Sequence, residues 1–161
     1  GMEVWGMRRT PLAPGETVAG VTRVMATDAD WRGMLPDADY VAVCLPLTPA
    51  TRHLVGAAEL ARLRPTAWII NISRGAVIDE AALVAALAAG QIGGAALDVT
   101  ETEPLPPDSP LWDLPNAIIT PHISWRSPEI DRRSLDLFFD NLRRYRASEP
   151  LRNVVPYDVG Y

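Results

Sequence analysis

The chain has 161 residues, of which 48% are apolar, and this is enough for one folded domain with a buried core. Its formal net charge of -5 gives no basic surface of the kind that attracts nucleic acids or anionic membranes, so neither partner is expected. No apolar run approaches the roughly 18 residues of a membrane-spanning helix, and the single cysteine, Cys44, is predicted to be a small buried strand residue in a reducing compartment, the cytoplasm.

Apolar runs bounded by turn residues predict buried parallel strands at residues 3–7, 40–45, 68–72, 95–99 and 117–120. Apolar residues at helical spacing predict helices at residues 57–63, 79–90 and 128–146. Asp79 is the expected N-cap of the second helix. The alternation of strands and helices predicts an α/β fold with a doubly wound, mainly parallel sheet.

Two segments are predicted to lack regular structure. Residues 101–115 contain five prolines and follow a strand, so they form a loop at the sheet edge where doubly wound proteins bind ligands. Residues 148–161 are rich in turn residues and are predicted to be an extended tail that docks elsewhere. Residues 1–147 then form the folded unit.

One arginine and one histidine follow the ends of two predicted strands. Arg74 lies within the run 71–79, and His122 follows the strand that ends near Thr120. An arginine presents a planar fork that matches a carboxylate, and a histidine exchanges a proton near neutral pH. Together they suit a small acid whose neighbouring oxygen gains or loses a proton. The alternatives are an arginine paired with a surface acid and a structural histidine.

Three acids near the end of the fourth predicted strand are candidates to assist these residues. A carboxylate held against an imidazole fixes its tautomer and favours its protonated form, a role open to Glu103. Glu101 is interpreted as a solvated loop acid. Asp98 ends the strand, and its carboxylate either points to the ligand edge or caps the following loop. The sequence favours neither position of Asp98 over the other.

Four stretches carry a resemblance to a known family, at residues 45–51, 71–79, 97–105 and 120–124. With these, the chain resembles the D-isomer-specific 2-hydroxyacid dehydrogenases, which include glyoxylate and hydroxypyruvate reductases and phosphoglycerate dehydrogenase. The stretches occur in the family's order and spacing over nearly the whole chain. The resemblance implies a Rossmann-like domain that binds NAD(P), and hydride transfer between the nicotinamide and C2 of a small 2-oxo or 2-hydroxy acid.

The resemblance also implies a role for each matching residue. Arg74 resembles the arginine that binds the substrate carboxylate, His122 the general acid/base, and Glu103 the partner of that histidine. These three form the implied catalytic set, and no metal site is implied. Asp98 resembles the aspartate that holds the nicotinamide amide. The other positions that resemble cofactor contacts are Pro46, Thr51, Ile72 and Ser73, together with Arg74 and His122.

The end of the first predicted strand departs from the family pattern. The family normally has an acid there that binds the adenosine ribose hydroxyls, whereas this chain has Arg8 followed by Arg9. An acid repels a 2′-phosphate and guanidinium groups attract one, so NADP(H) is expected in preference to NAD(H). The alternative is a pair of exposed strand-end arginines.

The chain contains no Gly-x-Gly-x-x-Gly motif. In the family this phosphate loop follows a strand that, in the order 3-2-1-4-5-6, lies between the strands expected at 3–7 and 40–45. We therefore expect an incomplete sheet in the carboxyl-terminal part of a family member, with residues 148–161 returning to a missing substrate domain. The two strands beside the gap are expected to close on each other or to pair with a second copy, which predicts a homodimer.

Two functions follow from this pattern. The first is part of an oxidoreductase that has the catalytic residues but an incomplete cofactor site, and is expected to be inactive alone. The second is a catalytically silent dinucleotide-binding or assembly module, against which the presence of Arg74, Glu103 and His122 argues. Trp125 and Arg126 are expected to border the substrate pocket, although Trp125 equally suits packing in the core.

Overall fold

The computed structural model describes residues 1–26 and 31–155. The strands are β1 (Trp5–Arg8), β2 (Arg23–Ala26), β3 (Tyr40–Val43), β4 (Trp68–Asn71), β5 (Gly94–Leu97) and β6 (Ala117–Ile119). The α-helices are α1 (Ala57–Leu60), α2 (Glu80–Ala88) and α3 (Ile130–Arg146), and short 3-10 helices lie at Trp31–Asp37, Gly75–Val77 and Pro110–Asp113. This alternation confirms the predicted α/β class.

All of these strand pairs are parallel, and they form two sheets. β1 pairs with β2, and the second sheet has the order β3-β4-β5-β6. Because parallel strands end at the same edge of a sheet, the loops that follow β3 to β6 leave from one edge. The candidate site residues after β4, β5 and β6 are therefore brought to the same side of the domain.

Two expectations about the first strands are wrong. Strand β2 is absent from the predicted elements because its four residues, Arg-Val-Met-Ala, give too short an apolar run. The early strands also do not close on each other: β1 pairs with β2 from Trp5↔Arg23 to Arg8↔Ala26, and within the described ranges β3 pairs with β4 alone. Strand β1 therefore finds its parallel partner in β2, the next strand along the chain, and not in β3.

The core lies between one face of the four-stranded sheet and helices α1 and α2. Leu60, Ile69 and Leu83 are buried there almost completely, and full burial of such a side chain contributes about 1.5–3 kcal/mol. Asp79 caps α2 as predicted, since its carboxylate accepts the Ala82 N–H at 3.0 Å. This packed layer supports the loops at the carboxyl edge of the sheet.

The opposite face of the sheet and helix α3 are much less buried. Ile72 and Ile118 are exposed on the sheet, and α3 contains no buried residue, so its apolar side faces solvent in this chain. That side comprises Leu135, Phe138, Phe139 and Leu142. None of the described helices is long and apolar enough to cross a bilayer.

Two further expectations concern Cys44 and the tail. Cys44 is exposed and not buried, because it lies one residue beyond β3, which is the edge strand of its sheet as described. In the tail, Arg152 exchanges two hydrogen bonds with Asn141 of α3, at 2.8 and 3.1 Å. Residues 156–161 of the predicted tail lie outside the described residues.

Candidate active site

The turn that contains Arg74 is built by the side chain of Asn71. Asn71 is only 1% exposed, and its Oδ1 accepts both the N–H and the hydroxyl of Ser73 while its Nδ2 donates to the Arg74 carbonyl. These bonds satisfy a buried amide and fix the backbone of the turn. The Arg74 guanidinium is exposed and donates once to the Ser73 carbonyl, at 2.6 Å, which leaves further N–H donors for a ligand carboxylate. We assigned no role to Asn71 from the sequence, although a polar residue at the end of an apolar strand is a usable signal.

Gly75 allows the loop after β5 to approach this turn. A Cβ atom at position 75 would lie 2.0 Å from the backbone carbon and oxygen of Thr100 and 2.4 Å from the Glu101 nitrogen. Only glycine fits so close a backbone approach. The contact places the start of the proline-rich loop, with Glu101 and Glu103, beside Arg74.

His122 and Glu103 form the predicted pair. His122 Nδ1 lies 2.8 Å from Glu103 Oε2, and Glu103 Oε1 accepts the Thr100 N–H at 3.1 Å. Because an ionised carboxylate only accepts hydrogen bonds, the Nδ1 atom of His122 is the protonated nitrogen in this contact. The two side chains are 41% and 39% exposed, so a ligand can reach them.

The backbone of His122 is held in the left-handed region, with a φ of 53°. This conformation is uncommon for a residue with a side chain and persists where its surroundings impose it. The His122 N–H donates to the Thr120 carbonyl and the Trp125 indole donates to the His122 carbonyl, both at 3.0 Å. Trp125 is 58% exposed, so it borders this loop and does not pack in the core.

Asp98 is the buried acid that organises the same loop. Its Oδ1 accepts the Thr120 hydroxyl at 2.6 Å and the Ile123 N–H at 2.9 Å, and its Oδ2 accepts the Ser124 N–H at 2.8 Å. Burial by itself raises the pKa of Asp98, but these donors outweigh it and hold the pKa of that carboxyl well below its ordinary value. Asp98 therefore caps the loop that contains His122, which follows β6, and not the loop directly after its own strand, as one of the two alternatives from sequence had it.

Asp98 also lines a pocket of about 260 Å³ at the carboxyl ends of the strands. The pocket walls are mainly apolar, and its lining residues include Ile70, Ile72, Ala96, Ile118, Thr120 and Ser124. Apolar walls with one carboxylate suit a flat ring that bears an amide. These residues therefore fit the nicotinamide end of a dinucleotide.

The remaining predicted cofactor residues lie after β3 and β1. The Thr51 hydroxyl donates to the Pro46 carbonyl at 2.6 Å and shapes the loop after β3, at the same edge as the pocket. Arg8 ends β1 and forms a long ion pair with Glu16, at 3.4 Å, with both side chains partly exposed. Arg9 follows it and is exposed.

A second His–Glu pair was missed from the sequence. His53 Nε2 lies 2.7 Å from Glu101 Oε1, and Arg52 Nη2 is 3.7 Å from the same oxygen. The interpretation of Glu101 as a solvated loop acid is therefore wrong, because the loop folds against the segment after β3. The only available signal was that His53 is one of just two histidines in the chain, the other being His122. No three potential metal-ligating side chains cluster within residues 1–26 and 31–155.

Comparison with known proteins places this site in a family. A family model described as D-isomer specific 2-hydroxyacid dehydrogenase, NAD binding domain, matches residues 1–124. The glyoxylate/hydroxypyruvate reductase B of Pectobacterium carotovorum subsp. carotovorum (strain PC1) is 44% identical over 133 residues, which are 83% of this chain and 42% of the relative. The chain spans less than half the length of the curated relatives it matches.

Two solved structures are similar over almost the whole chain. A D-isomer specific 2-hydroxyacid dehydrogenase from Xanthobacter autotrophicus Py2, in complex with NADPH and MES, has a TM-score of 0.88 and 43% identity, and covers 99% of this chain and 63% of its own. The NADPH-dependent glyoxylate/hydroxypyruvate reductase from Sinorhizobium meliloti, in complex with NADP and sulfate, has a TM-score of 0.86 and 34% identity, and covers 100% and 50%. The chain therefore belongs to the D-isomer specific 2-hydroxyacid dehydrogenase family, of which it contains the NAD binding domain.

Proposed function

We propose that this chain is the part of a reductase that binds the nicotinamide and supplies the proton when a small 2-oxo acid is reduced to a 2-hydroxy acid. The observation that carries the proposal is the His122–Glu103 pair at 2.8 Å, at the same sheet edge as the exposed guanidinium of Arg74. The names of the similar reductases, for glyoxylate and hydroxypyruvate, support that substrate class. When bound, the reduced nicotinamide supplies the hydride to C2 of the substrate.

The chain's own residues divide the remaining work. Arg74 binds the substrate carboxylate through paired N–H donors and so orients the neighbouring carbonyl. His122 holds one proton on Nδ1 through Glu103 and delivers the other from Nε2 to the carbonyl oxygen as C2 is reduced. Glu103 stabilises the imidazolium before the transfer, and Asp98, in the pocket wall, would hold the nicotinamide amide.

The activity of a longer chain is the test of this assignment. The 161 residues contain no Gly-x-Gly-x-x-Gly motif, and we propose that they turn over no substrate alone. The chain is joined behind the amino-terminal segment of the Pectobacterium carotovorum reductase that it does not span, and NADPH oxidation is followed with glyoxylate and hydroxypyruvate. Turnover by this fusion, lost in Arg74→Ala, supports the assignment. Full activity of the variant contradicts it, and tight NADPH binding without turnover favours a silent module.

We also propose that NADP(H) is the preferred cofactor, because Arg8 ends β1 and Arg9 follows it, where the family pattern has an acid. The NADPH and NADP in the two similar structures support this preference. A 2′-phosphate can displace Glu16 from its long contact with Arg8. Fluorescence titration of the fusion measures the effect: Arg8→Ala weakens NADPH binding roughly tenfold or more and leaves NADH binding unchanged. Arg132→Ala, on the exposed side of α3, is the control.

A homodimer is a further proposal, supported by the exposed edge strand β3, on which Tyr40 is 62% exposed. Sedimentation velocity on the 161-residue chain measures its mass in solution. A dimer that Tyr40→Lys dissociates supports pairing at this edge, and a strictly monomeric chain contradicts it.

A further inference from the structure

The pair His53–Glu101 takes part in no step of the proposed reaction, yet it lies on the loop that contains Glu103. Glu101 Oε1 is 2.7 Å from His53 Nε2, and the Glu101 N–H donates to the Glu80 carboxylate at the start of α2, at 2.8 Å. Arg52 Nη2 lies 3.7 Å from Glu101 Oε1. The loop is thus tied both to the segment after β3 and to helix α2.

His53 is itself held in place by the turn that contains Arg74. Its N–H donates to the Ala76 carbonyl at 2.8 Å, one residue beyond the close approach of Gly75 to Thr100. Its φ is 52°, in the left-handed region, which is uncommon for a residue with a side chain. The surrounding structure therefore imposes this backbone, and from it the imidazole reaches Glu101.

The two carboxylates of the loop are linked through a short stretch of backbone. The Thr100 N–H donates to Glu103 Oε1 at 3.1 Å, and Glu103 Oε2 contacts His122 Nδ1 at 2.8 Å. Thr100 is covalently joined to Glu101, so a shift of Glu101 moves the N–H that orients the Glu103 carboxylate. Loss of the contact with His53 is therefore transmitted to His122.

We propose that His53 and Glu101 are positioning residues, which hold the loop 100–103 so that Glu103 stays on Nδ1 of His122. This inference rests on the proposed roles of Glu103 and His122. It is nonetheless tested without turnover, so its failure is distinguishable from failure of the proposed reaction.

The tautomers of the two histidines give the readout. Each carboxylate only accepts, so neutral His122 carries its proton on Nδ1 and neutral His53 carries its proton on Nε2. Imidazole ¹⁵N chemical shifts distinguish the two forms in the 161-residue chain, in mildly alkaline buffer where free histidine is neutral. The chain has two histidines, so one variant of each assigns the spectrum.

Matched substitutions at position 53 separate the contact from the fold. Asparagine tolerates a left-handed backbone, but its amide nitrogen overlies Nδ1 of histidine and does not reach Glu101. Glutamine reaches the position of Nε2 and donates there. We expect His53→Asn to lower the Nδ1–H population of His122 at least twofold, and His53→Gln to restore it. Arg52→Gln, which removes the neighbouring charge without breaking the 2.7 Å contact, leaves it unchanged.

Glu101→Ala gives the same loss from the other side of the pair, and Glu101→Leu, which fills more of the space but accepts no hydrogen bond, replaces it if the alanine variant loses its dispersed amide spectrum. An unchanged His122 tautomer in both His53→Asn and the Glu101 variant overturns the proposal. An equal loss in Arg52→Gln also overturns it, since charge and not positioning is then the cause. Absence of Nδ1–H on His122 in the unsubstituted chain overturns it as well. The His122 tautomer can respond to these substitutions as expected while the fusion shows no turnover. In that case the positioning role stands and only the proposed reaction is rejected.

Discussion

The two His–Glu pairs have almost the same local geometry and differ in their surroundings. Their N–O distances are 2.7 and 2.8 Å, the histidine φ angles are 52° and 53°, and the imidazoles are 40% and 41% exposed. His122, however, lies on a loop gathered by the buried carboxylate of Asp98, whereas His53 lies beside the exposed Arg52. A short His–Glu distance and an unusual backbone therefore do not identify an acid/base pair by themselves.

The ring nitrogen that each glutamate contacts is the more informative difference. Glu103 contacts Nδ1 of His122, which leaves Nε2, the nitrogen farther from the backbone, for a substrate. Glu101 contacts Nε2 of His53 and leaves Nδ1, the nitrogen nearer its own backbone. The first arrangement presents Nε2 of His122 outward, and the next residue, Ile123, lines the same pocket as Asp98.

The largest expected difference between the pairs is in turnover by the fusion with the amino-terminal segment. His122→Ala removes the proton donor and lowers kcat by roughly 10²–10⁴-fold. His53→Asn leaves the donor in place and lowers kcat by less than about tenfold, because only the orientation of its partner changes. The measurement is NADPH oxidation at saturating glyoxylate. Equal losses in the two variants would erase the distinction between the pairs.

The next largest effect is on stability, and it tests a feature that both pairs share. The loop that contains Glu101 and Glu103 packs closely against Gly75. Gly75→Ala places a Cβ atom 2.0 Å from Thr100 and forces the backbone apart, which lowers the free energy of unfolding by about 3 kcal/mol or more. Both histidine tautomers change in the same variant. Gly6→Ala is the matched control, because its Cβ meets only Val21, at an ordinary 3.5 Å. Urea unfolding measures both, and a Gly75→Ala chain as stable as the control contradicts the shared support.

The placement of Arg74 and His122 at one sheet edge was predictable from the sequence because it depends on strand ends. Apolar periodicity locates the ends of β4 and β6, and parallel pairing then brings Arg74 and His122 to one edge. The family resemblance added the partner Glu103. Asp98 was recognised as a candidate, but its cap on the loop after β6 was not foreseen, since that depends on which N–H groups turn toward the carboxylate.

The positioning side was not predictable, because it depends on contacts between loops. His53 and Glu101 are 48 positions apart, and only the glycine-mediated approach of two backbones brings them together. The exposure of Cys44 and of Phe138 has a related cause. Periodicity reports which side of an element is apolar, but it does not report whether another element covers that side.

A smaller effect isolates the support that only His122 receives. Asp98→Asn replaces a carboxylate that accepts three hydrogen bonds, and we expect unfolding at neutral pH to become easier by roughly 1.5–3 kcal/mol. Since folding lowers the pKa of Asp98, its contribution is complete above the ordinary value of 3.8 and is lost as the pH falls below it. The difference between the two chains in urea unfolding therefore shrinks in acid. A difference that is independent of pH would contradict the role of the charged carboxylate.

The smallest expected effect is on the stability that the His53–Glu101 pair supplies. Its side chains are 40% and 28% exposed, and ion pairs so accessible to water contribute roughly 0.2–1 kcal/mol, which salt reduces further. Glu101→Gln should therefore lower the free energy of unfolding by less than about 1 kcal/mol in urea titrations, and by less still at high salt. Glu101→Ala, which removes the acceptor of the His53 hydrogen bond, should nonetheless change the tautomer of His122, because orientation of the loop requires little energy if the alternative positions are close. A loss of more than about 2 kcal/mol in the free energy of unfolding would mean that the pair stabilises the whole domain. The effect on His122 would then follow from general loosening of the structure and not from positioning.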